Sequence, residues 1–104
     1  MQKLQAGHTR TVKTLLKMNK KEIIKQLPSW FHGEVYELGD EVRNPFSGET
    51  VLLDAAELSM YDVIKGAEMA VMMGIPADEA YDVINQGKDW FILKNPNAYM
   101  ILLD

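Results

Sequence analysis

The stretch from Asn44 to Gly74 constrains this chain more than any other part of it. A turn-forming run, Asn44-Pro45-Phe46-Ser47-Gly48-Glu49, lies between Glu41-Val42-Arg43 and Thr50-Val51-Leu52. Proline near the second position of such a turn presets φ, and Gly48 tolerates the positive φ needed where the chain returns. The flanking segments are therefore expected to pair as a hairpin. A lone hairpin is marginal in water and must pack on something. The next segment supplies it. Asp54-Ala55-Ala56-Glu57 has capping-box spacing, and a carboxylate there suits the helix dipole. Met60, Val63, Ile64, Ala67, Ala70 and Val71 recur at helical spacing and predict an apolar stripe, with Glu57, Asp62, Lys65 and Glu68 on the other side.

Beyond Glu68 the polar side vanishes. Met69, Met72 and Met73 make the last turn apolar almost all round, which implies either deep burial or an interface. Gly66 costs up to about 1 kcal/mol relative to Ala inside a helix, so it predicts a neighbour packed closely there, as do Ala67 and Ala70 beside it. Gly74 is placed to end the helix and Pro76 to open the next. There Ala80, Val83 or Ile84, Gly87 and Phe91 share a stripe if the helix runs through Gly87, which could equally be a C-cap. Trp90-Phe91-Ile92-Leu93 is too dense an apolar cluster to be left in water. Asn95-Pro96 repeats a cap-then-proline signature, and the apolar run Tyr99–Leu103 implies a docked C-terminus. The candidate protein interface from these patterns is Met69, Met72 and Met73 with Trp90 and Phe91.

The N-terminal part has a different character. Thr9 or Thr11 can cap a helix carrying Val12, Leu15, Leu16 and Met18. Asn19 then reads as a fresh cap with Glu22 at box spacing, and Pro28 stops the helix. One bent helix and two short ones both fit. Residues 29–34 read as a loop anchored by Trp30 and Phe31, and Val35-Tyr36-Glu37-Leu38 as a short strand. The net charge of −4 conceals an asymmetry: residues 1–27 hold seven basic side chains and one acidic, while residues 28–104 hold four basic and fourteen acidic. The expected organisation is a basic helical segment over 1–28 and a hairpin-plus-helices body over 29–104. Lys13, Lys17, Lys20 and Lys21, at roughly helical spacing, could meet phosphates and give salt-dependent nucleic-acid binding. No aromatic side chain is interleaved among them for base stacking.

Few chemistries are signalled. With no cysteine, disulfides, thiolate metal sites and a cysteine nucleophile are excluded, and a reducing cytoplasm is the expected setting. No signal peptide is expected, and the longest apolar runs fall far short of the roughly 20 residues that span a bilayer. His8 and His32 lack partners at metal-ligand spacing. Glu34, Glu37, Asp40 and Glu41 form an acidic cluster without the regular spacing of a calcium loop. Asp78 and Asp82 lie one turn apart at a helix start, where solvation is the default. No phosphate-binding glycine loop or nucleophile elbow occurs. No cofactor, no metal and no enzymatic activity are expected.

The residues Asn44-Pro-Phe-Ser-Gly-Glu49, Glu57-Leu-Ser-Met-Tyr-Asp-Val-Ile-Lys-Gly-Ala-Glu-Met69 and Asn95-Pro-Asn-Ala-Tyr-Met-Ile-Leu-Leu-Asp104 resemble small uncharacterised proteins of marine tailed bacteriophages and marine metagenomes. The resemblance covers roughly residues 40–104. It implies a phage origin and action in the cytoplasm of a bacterial host, and it transfers no activity or site residues. The sequence as a whole predicts a mostly helical α+β domain with one short hairpin. Its expected role is a protein-interaction or oligomerisation module, with a homodimer as the leading partner state and another protein as the alternative. A nucleic-acid accessory role for the basic segment is the second expectation, and no membrane partner is expected.

Overall fold

The computed structural model describes residues 17–75 and 78–104. In chain order the elements are α1 (Lys20–Gln26), β1 (Asp40–Arg43), β2 (Thr50–Leu53), α2 (Ala55–Met72), α3 (Asp78–Lys94) and α4 (Pro96–Leu102). Together they make one α+β domain, four helices and a two-stranded antiparallel hairpin among the described residues. Of the expected basic helical segment, 1–28, the part before residue 17, with Thr9, Thr11 and Lys13, lies outside the described residues.

Local signals govern where the elements start and stop. The hairpin pairs Asp40 with Leu53, Glu41 with Leu52, Val42 with Val51 and Arg43 with Thr50. Val51 and Leu53 face inward and Leu52 outward, as the two-residue period of a strand requires. Gly48 turns the chain at φ 80°. Asp54 caps α2 through a full capping box: its Oδ1 accepts from the Glu57 amide at 2.8 Å, and Glu57 Oε1 accepts from the Asp54 amide at 2.9 Å. Asn95 caps α4 by accepting from the Ala98 amide, with Pro96 in the first turn. Asn19 caps α1, accepting from Lys21 at 2.8 Å. That is one residue short of the box expected with Glu22. Pro28 forces Leu27 into extended backbone, and α1 stops at Gln26.

The core is the seam between α2 and α3. Met60, Ile64 and Phe91 are fully buried, and Leu53, Ala98, Leu102 and Leu103 join them. The two helices run antiparallel, with Lys94 beside Asp54 at one end and Lys88 beside Glu68 farther along. Gly87 lies inside α3, not at its end, and its role is proximity. A Cβ there would stand 2.6 Å from Ile64 Cγ1. Gly66, expected to mark the close approach, has nothing within 4 Å of a Cβ position; the seam passes along the other side of α2. α1 adds a small second core, with Ile23 fully buried against Ala55 and Ala56. The Trp90 indole N–H donates to the Gln26 carbonyl at 3.0 Å.

Two expectations are overturned. Residues 35–38 form no strand. The Tyr36 amide donates at 2.9 Å to the hydroxyl of Ser59, which in turn donates to the Ala55 carbonyl, so this segment is hung on α2 instead of on a neighbouring strand. Glu57 does not lie on the solvent side; it is 6% exposed. Its second oxygen accepts from Asn95 Nδ2 at 3.1 Å, with the Lys94 ammonium 4.0 Å away, and these partners make burial of a carboxylate tolerable.

Candidate protein-interaction surface

At the far end of the α2–α3 pair the exposure of apolar groups is inverted. Met69 is 62% exposed, Met72 86% and Met73 71%, and Ile75 and Tyr81 are more than half exposed beside them in the chain. α2 ends by local chemistry: the Met73 amide donates to the Met69 carbonyl, the Gly74 amide to Val71, and Gly74 takes φ 75°. A helix end closed this way needs no tertiary support. Nothing among the described residues covers the methionines, so deep burial, one of the two expected fates of this end, is excluded. Glu68 is engaged by Lys65 at 3.0 Å, whereas Asp78, Glu79 and Asp82 line the exposed first turns of α3.

The other two residues of the expected interface lie elsewhere. Phe91 is fully buried in the main core, and Trp90 is half buried against both cores, its ring edge-on to Phe91 at 5.4 Å. Only these two of the Trp90–Leu93 cluster are taken in where α1, α2 and α3 meet; Ile92 is 43% and Leu93 87% exposed, against the expectation that the whole cluster is covered. Trp90 and Phe91 are core residues and are withdrawn from the candidate interface.

Of the candidate phosphate-binding residues, Lys13 lies outside the described residues. Lys17, Lys20 and Lys21 are exposed and share an open depression of about 740 Å³. Glu37 lies on the same wall and places a carboxylate among the three ammonium groups.

The structure also brings together residues that spacing could not connect. His32, from the loop after α1, lines an open groove of about 290 Å³ with Trp30 and with Glu79 and Asp82 of α3. Glu79 and Asp82, three apart, replace the Asp78–Asp82 pair that the sequence suggested. All three titratable side chains are exposed, and among the described residues no three His, Asp or Glu side chains cluster closely enough to hold a metal ion. The groove is open to solvent along its length, unlike the enclosed sites in which paired acids do acid–base work. The half-buried Tyr36 hydroxyl is pushed above its ordinary value by burial first, then by the Asp62 and Glu34 carboxylates and a hydrogen bond to Asp62.

The fold and this surface together define a small α+β domain with an exposed run of methionines at one end of its helix pair. No family model, curated protein or solved structure matches the chain. No helix among the described residues is long and apolar enough to cross a membrane.

Proposed function

We propose that this protein is a non-enzymatic interaction module that associates with copies of itself through the methionine end of α2 and α3. The observation that carries the reading is the run Met69–Met73, uninterrupted by a polar residue, with its three methionines more than half exposed. Completely burying one such side chain is worth roughly 1.5–3 kcal/mol. Association costs about 4–15 kcal/mol in lost freedom and ordering, so several of these side chains must be covered together. Methionine suits that task because its unbranched thioether adapts to an irregular partner. Light scattering and sedimentation at tens of micromolar test it. Wild type is expected to exceed the monomer mass and Met72→Lys to fall back to it; a wild-type chain that stays monomeric defeats the reading.

A second reading rests on the convergence of Lys17, Lys20 and Lys21 on one depression. Three ammonium groups held together can track a phosphate backbone, each contact steepening the salt dependence by close to one unit in the logarithmic slope. A gel shift at low salt is expected to show binding that Lys20→Glu/Lys21→Glu abolishes. Unchanged binding by that variant ends this alternative.

A further inference from the structure

Burial divides the methionines of this chain into kinds with different chemistry. Met60 is fully buried in the seam, whereas Met100 on α4 is 62% exposed. Met69, Met72 and Met73 stand within five residues at the end of α2, each more than half exposed. A thioether is the softest nucleophile of a chain without cysteine. Its sulfur lone pair attacks one oxygen of a peroxide. The S–O bond forms as the O–O bond breaks, and the proton of the transferred oxygen passes to the departing hydroxide, which leaves as water. The sulfur is oxidised by two electrons and the peroxide is reduced. The product, a sulfoxide, is polar where the thioether was apolar. What that does to the protein depends on where the sulfur lies. The end of α2 is closed by backbone alone: the Met73 amide donates to the Met69 carbonyl at 3.0 Å, the Gly74 amide to Val71 at 3.0 Å and the Ile75 amide to Ala70 at 3.1 Å. None of the three thioethers belongs to either core, so an oxygen on each stays in water. At Met60 the same oxygen would be buried without a partner beside Ile64 and Phe91.

We propose that Met69, Met72 and Met73 are a site of oxidative modification, at which a small peroxide turns the apolar end of α2 polar while the fold stays intact. The three sulfurs share one short stretch of surface, so their sulfoxides change the character of a whole patch. Reduction of the sulfoxides by a methionine sulfoxide reductase returns the patch to its apolar state. The modification needs only that the oxidant reach the sulfurs, and it stands whatever covers this end. Joined to the proposed self-association it becomes a means of control. The sulfurs must be bare to be oxidised and apolar to be covered, so oxidation and association oppose each other. Met100 lies on α4, which follows the end of α3 where Lys94 meets Asp54, whereas the three methionines lie at the opposite end of α2, a helix of 18 residues and so roughly 27 Å long. Met100 is thus an exposed reference outside the patch, and Met60 a buried one.

Hydrogen peroxide is the probe, and peptide mapping by mass reads the oxidation rate at each methionine. In dilute native protein, Met69, Met72, Met73 and Met100 are expected to react at close to their rates in the urea-unfolded chain. Met60 is expected to be slowed at least about tenfold, because the oxidant reaches its sulfur only when the seam opens. The urea midpoint of the oxidised protein should equal that of the untreated protein. Met69→Leu/Met72→Leu/Met73→Leu keeps the end apolar and removes its sulfurs, and it isolates their contribution from that of the other methionines. If the three sulfurs are protected in dilute native protein as strongly as Met60, the site does not exist. A midpoint that falls on oxidation in wild type and not in the triple-leucine variant also overturns it, since the thioethers then support the fold. Repeating the reaction at tens of micromolar tests the link to self-association. There the three sulfurs should slow several-fold while Met100 keeps its rate. Oxidised wild type should be monomeric in sedimentation, and the peroxide-treated triple-leucine variant should stay associated. Rates at the three sulfurs that do not change with protein concentration defeat self-association through this end and leave the oxidation site standing.

Discussion

At the end of the helix pair where α2 begins, polar groups are drawn inward. Asp54, Glu57, Lys94 and Asn95 form one connected set, with the Glu57 carboxylate accepting from the Asp54 amide and from Asn95, and Lys94 reaching Asp54 at 3.2 Å. At the other end apolar groups face outward, and the hydrogen bonds there are those of the helix terminus alone. The first end joins two stretches, residues 54–57 and 94–95, nearly forty residues apart; the second joins two helices consecutive in the chain. Cooperativity of the fold therefore resides in the capped junction and the seam beside it, while the methionine end is free to vary its surface without cost to the core. Substitutions that act strongly on stability at one end should be silent at the other, and the contrast can be broken by measurement.

The largest effects are expected in the seam. Phe91→Ala should lower stability by about 3–5 kcal/mol and Ile64→Ala by about 2–5 kcal/mol, since each removes buried carbon and leaves a void. Urea unfolding reads both as a lower midpoint at unchanged slope. Gly87→Ala sharpens the point. Its new methyl would press on Ile64 Cγ1 and Cδ1 at 2.6 and 2.8 Å, at a cost of about 1–3 kcal/mol for overpacking. In the Ile64→Ala background the void accepts the methyl and most of that cost should vanish. Additive losses in the double variant would show that the helices do not meet there.

Next comes the junction. Glu57→Ala removes the acceptor for the Asp54 amide and for Asn95 at once, leaving part-buried donors unsatisfied, and about 1–3 kcal/mol should be lost. Asp54→Ala, which removes the cap and the half-exposed Lys94 pair, should cost about 0.5–2 kcal/mol, most of it from the cap. If Glu57→Ala costs less than Asp54→Ala, the link from α2 to Asn95 contributes little and the junction is no more than a helix cap.

Glu57 also marks where sequence stops being informative. Its capping-box role was legible from Asp54-Ala55-Ala56-Glu57, because a cap is a local matter of four residues. Its burial was not, because the covering groups, Lys94 and Asn95, lie nearly forty residues away. The same division runs through the molecule. The hairpin, the ends of α1, the start of α4 and the stripe through Met60 and Ile64 were readable, since each follows from turn or cap chemistry or helical period. Trp90 and Phe91 read in the sequence as interface residues, because an apolar cluster has the same composition in a core or an interface, and only the meeting of α1, α2 and α3 decides between them. Gly66 and Gly87 are both helical glycines, and nothing in their spacing says which one faces the neighbouring helix. The groove joining His32 to Glu79 and Asp82 exists only in three dimensions and left no trace in spacing. For the methionine end the pattern gave both alternatives, and the structure removed one.

Between the two ends, Tyr36 offers a smaller and pH-dependent probe. Burial and the nearby Asp62 and Glu34 carboxylates raise its pKa above the ordinary 10.0, so the folded state holds the hydroxyl proton more tightly than the unfolded chain. The associated stability is fully present below the unfolded value and is lost as pH rises through the folded one. Alkaline unfolding should therefore carry a component above about pH 10 that Tyr36→Phe removes. An identical alkaline profile in Tyr36→Phe would assign the loss to other groups.

The smallest effect on stability should come from the largest change in surface chemistry. Met72→Lys puts a charge on a side chain that is 86% exposed and touches no core residue, so unfolding midpoints should move by no more than about 0.5 kcal/mol. A Met-to-Lys change of that size at Met60 would destroy the fold. The two positions share a helix and a residue type, and they differ in which end of the molecule has been closed. If Met72→Lys instead destabilises the isolated chain by more than about 1 kcal/mol, a range expected only where a named structural contact is broken, the methionines are covered within the monomer. The bare end would not then exist, and the self-association built on it would lose its surface.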